Sequence, residues 1–305
     1  MGVNMSEKDK QASFNSYAIM WLVIVAAYAV WVIGFMRKII LVDYATVAER
    51  TVDGVTHANI SGMIGREWLY PIWVVVSCVC LLLFIFYIRV LLYGKQPGKA
   101  MKIFCLLGLI FGCVYVTWYG FLGDQPFIEK VKFVTASMIG LDYPWCFKGW
   151  GIIASATVFT NTLYAYRKYG YHSRLGVVLG SIGSAAIYVT INCPSMGEDI
   201  HFDSARCMAH WIGALLFAFC CAIPMVLLLI NKARELKGPF LAGLIVFCAI
   251  LLTMLVLLIT VGKSAIIENI PMQAAYVLLF LLNFTNVFTP AKKAKPMAEK
   301  ETVNV

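Results

Sequence analysis

Residues 239–262 read Pro-Phe-Leu-Ala-Gly-Leu-Ile-Val-Phe-Cys-Ala-Ile-Leu-Leu-Thr-Met-Leu-Val-Leu-Leu-Ile-Thr-Val-Gly, without a single charged side chain. About 20 such residues in a helix cross the ~30 Å hydrocarbon core of a bilayer. The segment therefore predicts a transmembrane helix, flanked by Lys237 on one side and Lys263 on the other. Seven further stretches read the same way: Tyr17–Met36, Tyr70–Leu92, Ile103–Leu122, Phe147–Tyr166, Leu175–Asn192, Cys207–Ile230 and Ile270–Thr289. The fourth and fifth of the eight are the most polar, because Thr, Asn, Ser and Gly interrupt them. The spacing Gly176-x-x-x-Gly180 in the fifth suits close helix packing within the chain.

Composition supports this reading. Of 305 residues, 61% are hydrophobic and 13% charged, and the mean hydropathy is +0.80. A soluble domain runs nearer 45–50% apolar and about 25% charged. A water-soluble enzyme, a disordered chain and a nucleic-acid-binding domain are excluded. The net charge of +9 does not reverse this, since the basic residues flank the apolar spans, where they set orientation. The ten cysteines form no CxxC pair and mostly lie in apolar runs, as small hydrophobes. The expected fold is all-α: one polytopic bundle of about eight helices in the cell membrane.

Sixteen of the 25 Lys and Arg lie in the N-terminus, the even-numbered connections and the C-terminal tail, and eleven of the 16 acids lie in the odd connections. The positive-inside rule then predicts both termini in the cytoplasm. The first span is followed by Arg37-Lys38 rather than a small-residue cleavage site, so it reads as a retained anchor. The expected organisation is a cytoplasmic N-terminal segment over 1–16, a first helical pair over 17–102, a six-helix domain over 103–290 and a basic cytoplasmic tail over 291–305. The pair and the larger domain carry an internal repeat. Ser61-Gly62-Met63-Ile64-Gly65 and Ala136-Ser137-Met138-Ile139-Gly140 are each followed by Tyr-Pro (Tyr70-Pro71, Tyr143-Pro144) and an aromatic (Trp73, Trp145).

No acid or base sits deep in any span. Arg89 and Lys148 lie near span ends and are expected to snorkel. Thr160, Asn161, Asn283 and Thr285 are the polar groups at depth, expected to bond between helices. The densest polar cluster is the fifth connection and the start of the sixth span, with Glu198, Asp199, His201, Asp203, Arg206 and His210 as candidate ligand-binding residues. Asp203, Arg206 and His210 share one helix face. Two readings stay open. Asp203 could cap the helix, with His210 bonded to a neighbouring helix. Alternatively the face binds a ligand, with Asp203 orienting His210, and His210→Ala then costs ligand retention and little stability. As catalytic residues only Asp203 and His210 qualify, and no hydrolase or phosphate-loop motif accompanies them. A zinc set of His201, His210 and Asp203 exists on paper, but neither a metal nor any other cofactor is called for. Cys193 and Cys207 flank the same connection and can form a disulfide if their Cα atoms lie within about 7 Å, with Cys146 as a competing partner.

Several of these segments resemble a known family. Thr135-Ala136-Ser137-Met138-Ile139-Gly140 with Tyr143-Pro144, Asn192-Cys193-Pro194 with Glu198-Asp199, and Asp203 to His210 carry the likeness. From the third span to the eighth the chain resembles six-helix bacterial membrane proteins of unknown function. Those are distantly similar to the DRAM autophagy modulators and the GPI-remodelling membrane proteins. The chain has Cys-Pro where the pattern has Pro-Cys-Asp, and two extra N-terminal spans. The resemblance implies an outward-facing polar site and lipid handling.

The leading expectation is a non-enzymatic integral membrane protein that binds membrane-lipid headgroups or a small ligand on its outer face, with no nucleic-acid partner. The alternatives are a lipid hydrolase or transferase using Asp203 and His210, and a structural or partner-binding subunit. The topology is directly testable. Single cysteines introduced as Asp53→Cys, Ile128→Cys and Ile200→Cys should react with an impermeant thiol reagent in intact cells, and Glu235→Cys should not. The reverse labelling pattern would invert the orientation.

Overall fold

The computed structural model describes residues 6–36, 49–52, 55–58, 69–122, 135–193, 205–236, 238–262 and 264–288. Its body is helical: α1 Glu7–Val30, α2 Leu69–Ile88, α3 Lys99–Gly120, a short α4 Ala136–Asp142, α5 Pro144–Lys168, α6 Arg174–Asn192, α7 Ala205–Leu236, α8 Pro239–Thr260 and α9 Ala265–Phe284. Wider π turns extend α1 over Trp31–Met36 and α2 over Arg89–Tyr93. The all-α architecture expected from the sequence holds, and one small hairpin stands beside it. An antiparallel hairpin, β1 Glu49–Val52 and β2 Val55–Ala58, pairs Arg50 with His57 and Val52 with Val55. Its strands are only four residues each, short for a sequence reading set to find spans of about 20.

Local chemistry explains several helix starts. Ser6, Thr135, Ser173 and Ser264 each accept from the backbone N–H three residues on, at 3.0–3.2 Å, which satisfies one of the orphan donors of a first turn. Pro144 and Pro239 stand in the first turns of α5 and α8, where a missing N–H costs nothing. The Ser6 and Ser264 caps start α1 and α9 earlier than the hydropathy alone suggests. Beyond α5, Gly170 adopts φ +58°, and the Tyr171 N–H closes back on the Tyr166 carbonyl at 2.9 Å, a glycine-dependent helix stop.

Seven of these helices are long and apolar enough to cross a membrane. The short α4 cannot span, and the one long exception is α5, which is 25 residues long but too polar along its length. Packing explains the exception, because α5 contacts α2, α3, α4, α6, α7 and α9. The exposed large apolar side chains decorate the outer helices, such as Phe86 on α2, Phe111 on α3, Phe219 on α7 and Ile259 on α8, and on α5 only Trp145 at its entrance. Helix α5 is thus ringed by protein, and its polarity never meets the apolar surroundings.

The helix ends sort into two groups. At one end the start of α1 meets the end of α2, with Ser13 Oγ and Tyr93 Oη 2.8 Å apart and Arg89 donating to Gln11 at 2.9 Å. Arg89 lies over the Phe14 ring, so it grips α1 instead of extending freely. At the same end Arg167 donates to the carbonyls of Leu92, Gly94 and Lys95. Lys168 donates to those of Leu282 at 2.6 Å, Asn283 at 3.1 Å and Thr285 at 3.2 Å. Two adjacent cations on α5 thereby cap the C-terminal ends of α2 and α9, where the helix dipole is negative. At the opposite end Trp73 and Trp145, the equivalent aromatics of the repeat, meet edge to face with centroids 5.9 Å apart. The second copy's Met-Ile-Gly segment is helix α4; the first copy, at 61–65, lies outside the described residues.

Along its length α5 is bonded to α3 and α9 by amide and hydroxyl groups. Asn161 donates to the Cys105 carbonyl at 3.2 Å, Asn283 to the Asn161 carbonyl at 2.9 Å, and Thr157 to the Gly108 carbonyl at 3.2 Å. Asn269 and Gln273 of α9 donate to Val116 and Cys113 carbonyls of α3. The two asparagines thus join helices as expected, whereas Thr160 and Thr285 bond carbonyls of their own helices. The tightest pairing is α6 with α7. A Cβ on Gly213 would come within 2.5 Å of Thr190 Oγ1 and 2.8 Å of the Ala186 carbonyl oxygen, and one on Gly183 within 2.8 Å of Cys221 Sγ. Gly176 and Gly180 likewise face Tyr166, Phe159 and Pro224 inside the chain. Gly213→Ala must separate two backbones and should cost about 1–3 kcal/mol. Gly34→Ala, with nothing within 4 Å of its added carbon, should be close to neutral. Melting curves of the two variants in the same detergent check the contrast.

Candidate functional site

The site read from the sequence falls at the end opposite the capping cations, where α6 stops and α7 begins. Glu198, Asp199, His201 and Asp203 lie outside the described residues, as does the side chain of Arg206. Of the six candidates, His210 is the one whose side chain is placed. It sits two turns into α7 and is 6% exposed, so this face of α7 points into the bundle. Its Nδ1 lies 2.8 Å from the Cys193 carbonyl and 3.3 Å from that of Thr190. Both oxygens can only accept, so Nδ1 carries the proton. In return Thr190 Oγ1 donates to the His210 carbonyl at 3.3 Å. The imidazole is flanked by the rings of Phe147, 6.5 Å away, and Trp211, 6.2 Å away.

The last turn of α6 is a convergence point. Its carbonyls are orphan acceptors at the negative end of a helix, and three side chains reach them. His210 takes Cys193, Asn192 Nδ2 takes the Tyr188 carbonyl at 2.7 Å, and Lys148 Nζ takes the Ile191 carbonyl at 3.3 Å. Asn192 also donates to Tyr28 Oη at 2.7 Å, which ties α1 to the same turn. The snorkelling expected of Lys148 is corrected here. The residue is 7% exposed, and its ammonium lies 5.6 Å over the Trp73 ring. One turn into α5, it has protein on every side because α5 is central. Among the described residues no carboxylate lies within ion-pair distance of it.

A second anchor lies at the same end. Thr135 caps α4, and Glu268 of α9 accepts from the Ala136 N–H at 2.9 Å, a carboxylate at a helix start. Tyr119 of α3 donates to the Ala136 carbonyl at 2.6 Å. The α4 turn is thereby fixed beside Phe147, to within 2.6 Å of a carbon added at Gly140. This leaves no room for a side chain at the glycine of the second Met-Ile-Gly copy.

Cys193 and Cys207, the pair whose spacing allowed a disulfide, are both buried. Cys193 caps the end of α6 and Cys207 lies within the first turn of α7, so helix packing and the His210 bond already hold these ends together. Among the described residues no group of three His, Cys, Asp or Glu could hold a metal ion. Sequence reasoning missed Lys148 and Asn192. The only signal available was that Lys148 is the lone charge between Tyr143 and Tyr166.

The architecture is that of a multi-pass helical membrane protein, with polar groups turned inward and apolar side chains outward. Comparison of the chain with protein-family profiles, with curated proteins and with solved structures gives no match.

The geometry changes what His210 substitutions should do. Removing the imidazole leaves a buried Cys193 carbonyl without this donor, at about 1–3 kcal/mol, and opens a cavity. His210→Ala should therefore lower the melting temperature clearly, and His210→Gln, which keeps an N–H donor, by less. Equal losses in the two variants would show that the Nδ1 bond is not what the residue contributes.

Proposed function

We propose that the protein is an eight-span integral membrane protein of the cell membrane, with both termini in the cytoplasm. Its outward end binds an anionic group such as a lipid phosphate headgroup. Topology rests on the basic asymmetry of the connections and on α5 running the same depth as its neighbours. That helix touches Trp73 at one end of α2 and Leu92 at the other.

The observation that carries the binding reading is Lys148. An ammonium buried among apolar and aromatic side chains is costly, and ionisable residues inside membrane proteins mark ligand or ion sites by default. Its protein acceptor is one carbonyl at 3.3 Å, which leaves donor capacity for an anion, since an ammonium has three N–H groups. His210 reaches the same turn of α6, and Arg206 stands one turn earlier on α7. Lys148 and Arg206 would supply positive charge and donors around a phosphate, and His210, when protonated, one further N–H at Nε2. The connection between α6 and α7, with Glu198, Asp199, His201 and Asp203, would complete the entrance. The likeness to lipid-handling membrane proteins points the same way.

In native mass spectrometry of protein extracted in mild detergent, added phosphatidylglycerol should be retained and phosphatidylcholine should not. Lys148→Met should reduce phosphatidylglycerol retention at least tenfold, and Lys148→Arg should keep most of it. Wild-type retention by a folded Lys148→Met protein would refute the reading.

A further inference from the structure

A second feature lies within the bundle, away from the end that carries Lys148. In the described helices most serine and threonine hydroxyls that are not caps bond a carbonyl one turn back. Thr160 bonds Ala156, Ser181 bonds Val177, Thr253 bonds Ala249 and Thr285 bonds Leu281, all at 2.6–2.9 Å. Thr162 and Ser184 do not, and they are 6% and 0% exposed. Their hydroxyl oxygens are buried and meet no protein group in good hydrogen-bond geometry, Ser184 having only the weakly accepting Cys221 thiol beside it. Ser77 on α2 shares that condition, but Thr162 and Ser184 also share a place. Both line one cavity of about 10 Å³ between α5, α6 and α7, together with Phe159, Gly180, Cys221 and Pro224.

Tyr166 adds a third polar group, since its side chain lines the same cavity and its hydroxyl oxygen can still accept a hydrogen bond. Tyr166 donates to the Pro224 carbonyl at 2.9 Å, which fixes the turn against α5. About 10–15 Å³ of this measure suffices for one water molecule, provided two to four polar partners surround it. An apolar void of this size stays dry, but this one is lined by two hydroxyls that lack good partners.

We infer that this cavity is a binding site for one ordered water, held by Thr162 Oγ1 and Ser184 Oγ beside the Tyr166 hydroxyl. The water links Thr162 of α5 to Ser184 of α6 beside the proline turn of α7. Burying two hydroxyls without good partners in a membrane interior is otherwise unfavourable.

Two substitutions separate a wet site from a dry one by the sign of their effect. Gly180 lines the cavity, and an added Cβ would make only ordinary contacts, 3.6 Å from Phe159 and from Pro224. In a dry void Gly180→Ala fills space and improves helix propensity, so the melting temperature rises. With water present the methyl displaces it and strands both hydroxyls. Thr162→Val keeps the shape and removes one hydroxyl, which relieves a dry site and deprives a wet one of a ligand. We expect both variants to melt lower than the wild type in the same detergent, by on the order of 2 °C. A melting temperature unchanged or raised in either variant overturns the inference.

Discussion

The bundle depends on hydrogen bonds that the polar side chains of α5 and α9 make to helix backbones. In a lipid environment the hydrophobic effect does not draw one apolar helix toward another, so close packing and interhelical bonds must supply the specificity. Asn161, Asn269, Gln273 and Asn283 each reach a backbone carbonyl on another helix. Each such bond contributes on the order of 0.6 kcal/mol on average in a membrane protein. Several in one seam across α3, α5 and α9 fix both the rotation and the depth of α5. Small residues on α3 make this reachable: a carbon added at Gly112 would lie 3.2 Å from Tyr276 and 3.4 Å from Thr157.

The two ends of α5 extend the same logic to charge. Arg167 and Lys168 answer the carbonyls that end α2 and α9, and Lys148 answers one that ends α6. Each is a cation at the negative end of a helix dipole. The ends differ in what remains for a ligand. Lys168 meets three carbonyls at 2.6–3.2 Å and matches its three N–H groups. Lys148 meets one, at the long distance of 3.3 Å. A saturated cation is a strut, and an unsaturated one can bind. That difference is the ground for the proposal that the end near Lys148 binds an anion.

His210 shows how one side chain serves both stability and a site. Its Nδ1–H is committed to the end of α6, which fixes the ring and its tautomer. The ring therefore arrives at the cluster already oriented, with Phe147 and Trp211 beside it. A residue used this way cannot be removed without loosening the α6–α7 pair.

The sequence by itself determined the apolar, helical, membrane-crossing character of the chain, because an uninterrupted run such as 239–262 has no other low-energy home. It also marked the polar seam, through Asn161 and Asn283, and the close packing of α6, through Gly176 and Gly180. Only the tertiary structure decided which helix sits at the centre. The polarity that makes α5 the least apolar long helix in the sequence is what its surrounded position permits, and hydropathy along one chain carries no record of neighbours. For the same reason Lys148, one turn from a helix end, reads as a snorkelling residue until the helices around it are in place. Cys193 and Cys207 lie close in sequence to a common connection, but bridging depends on geometry that spacing does not encode. Burial of a charge and the partner of a histidine are properties of pairs of helices, and pairs are set by packing.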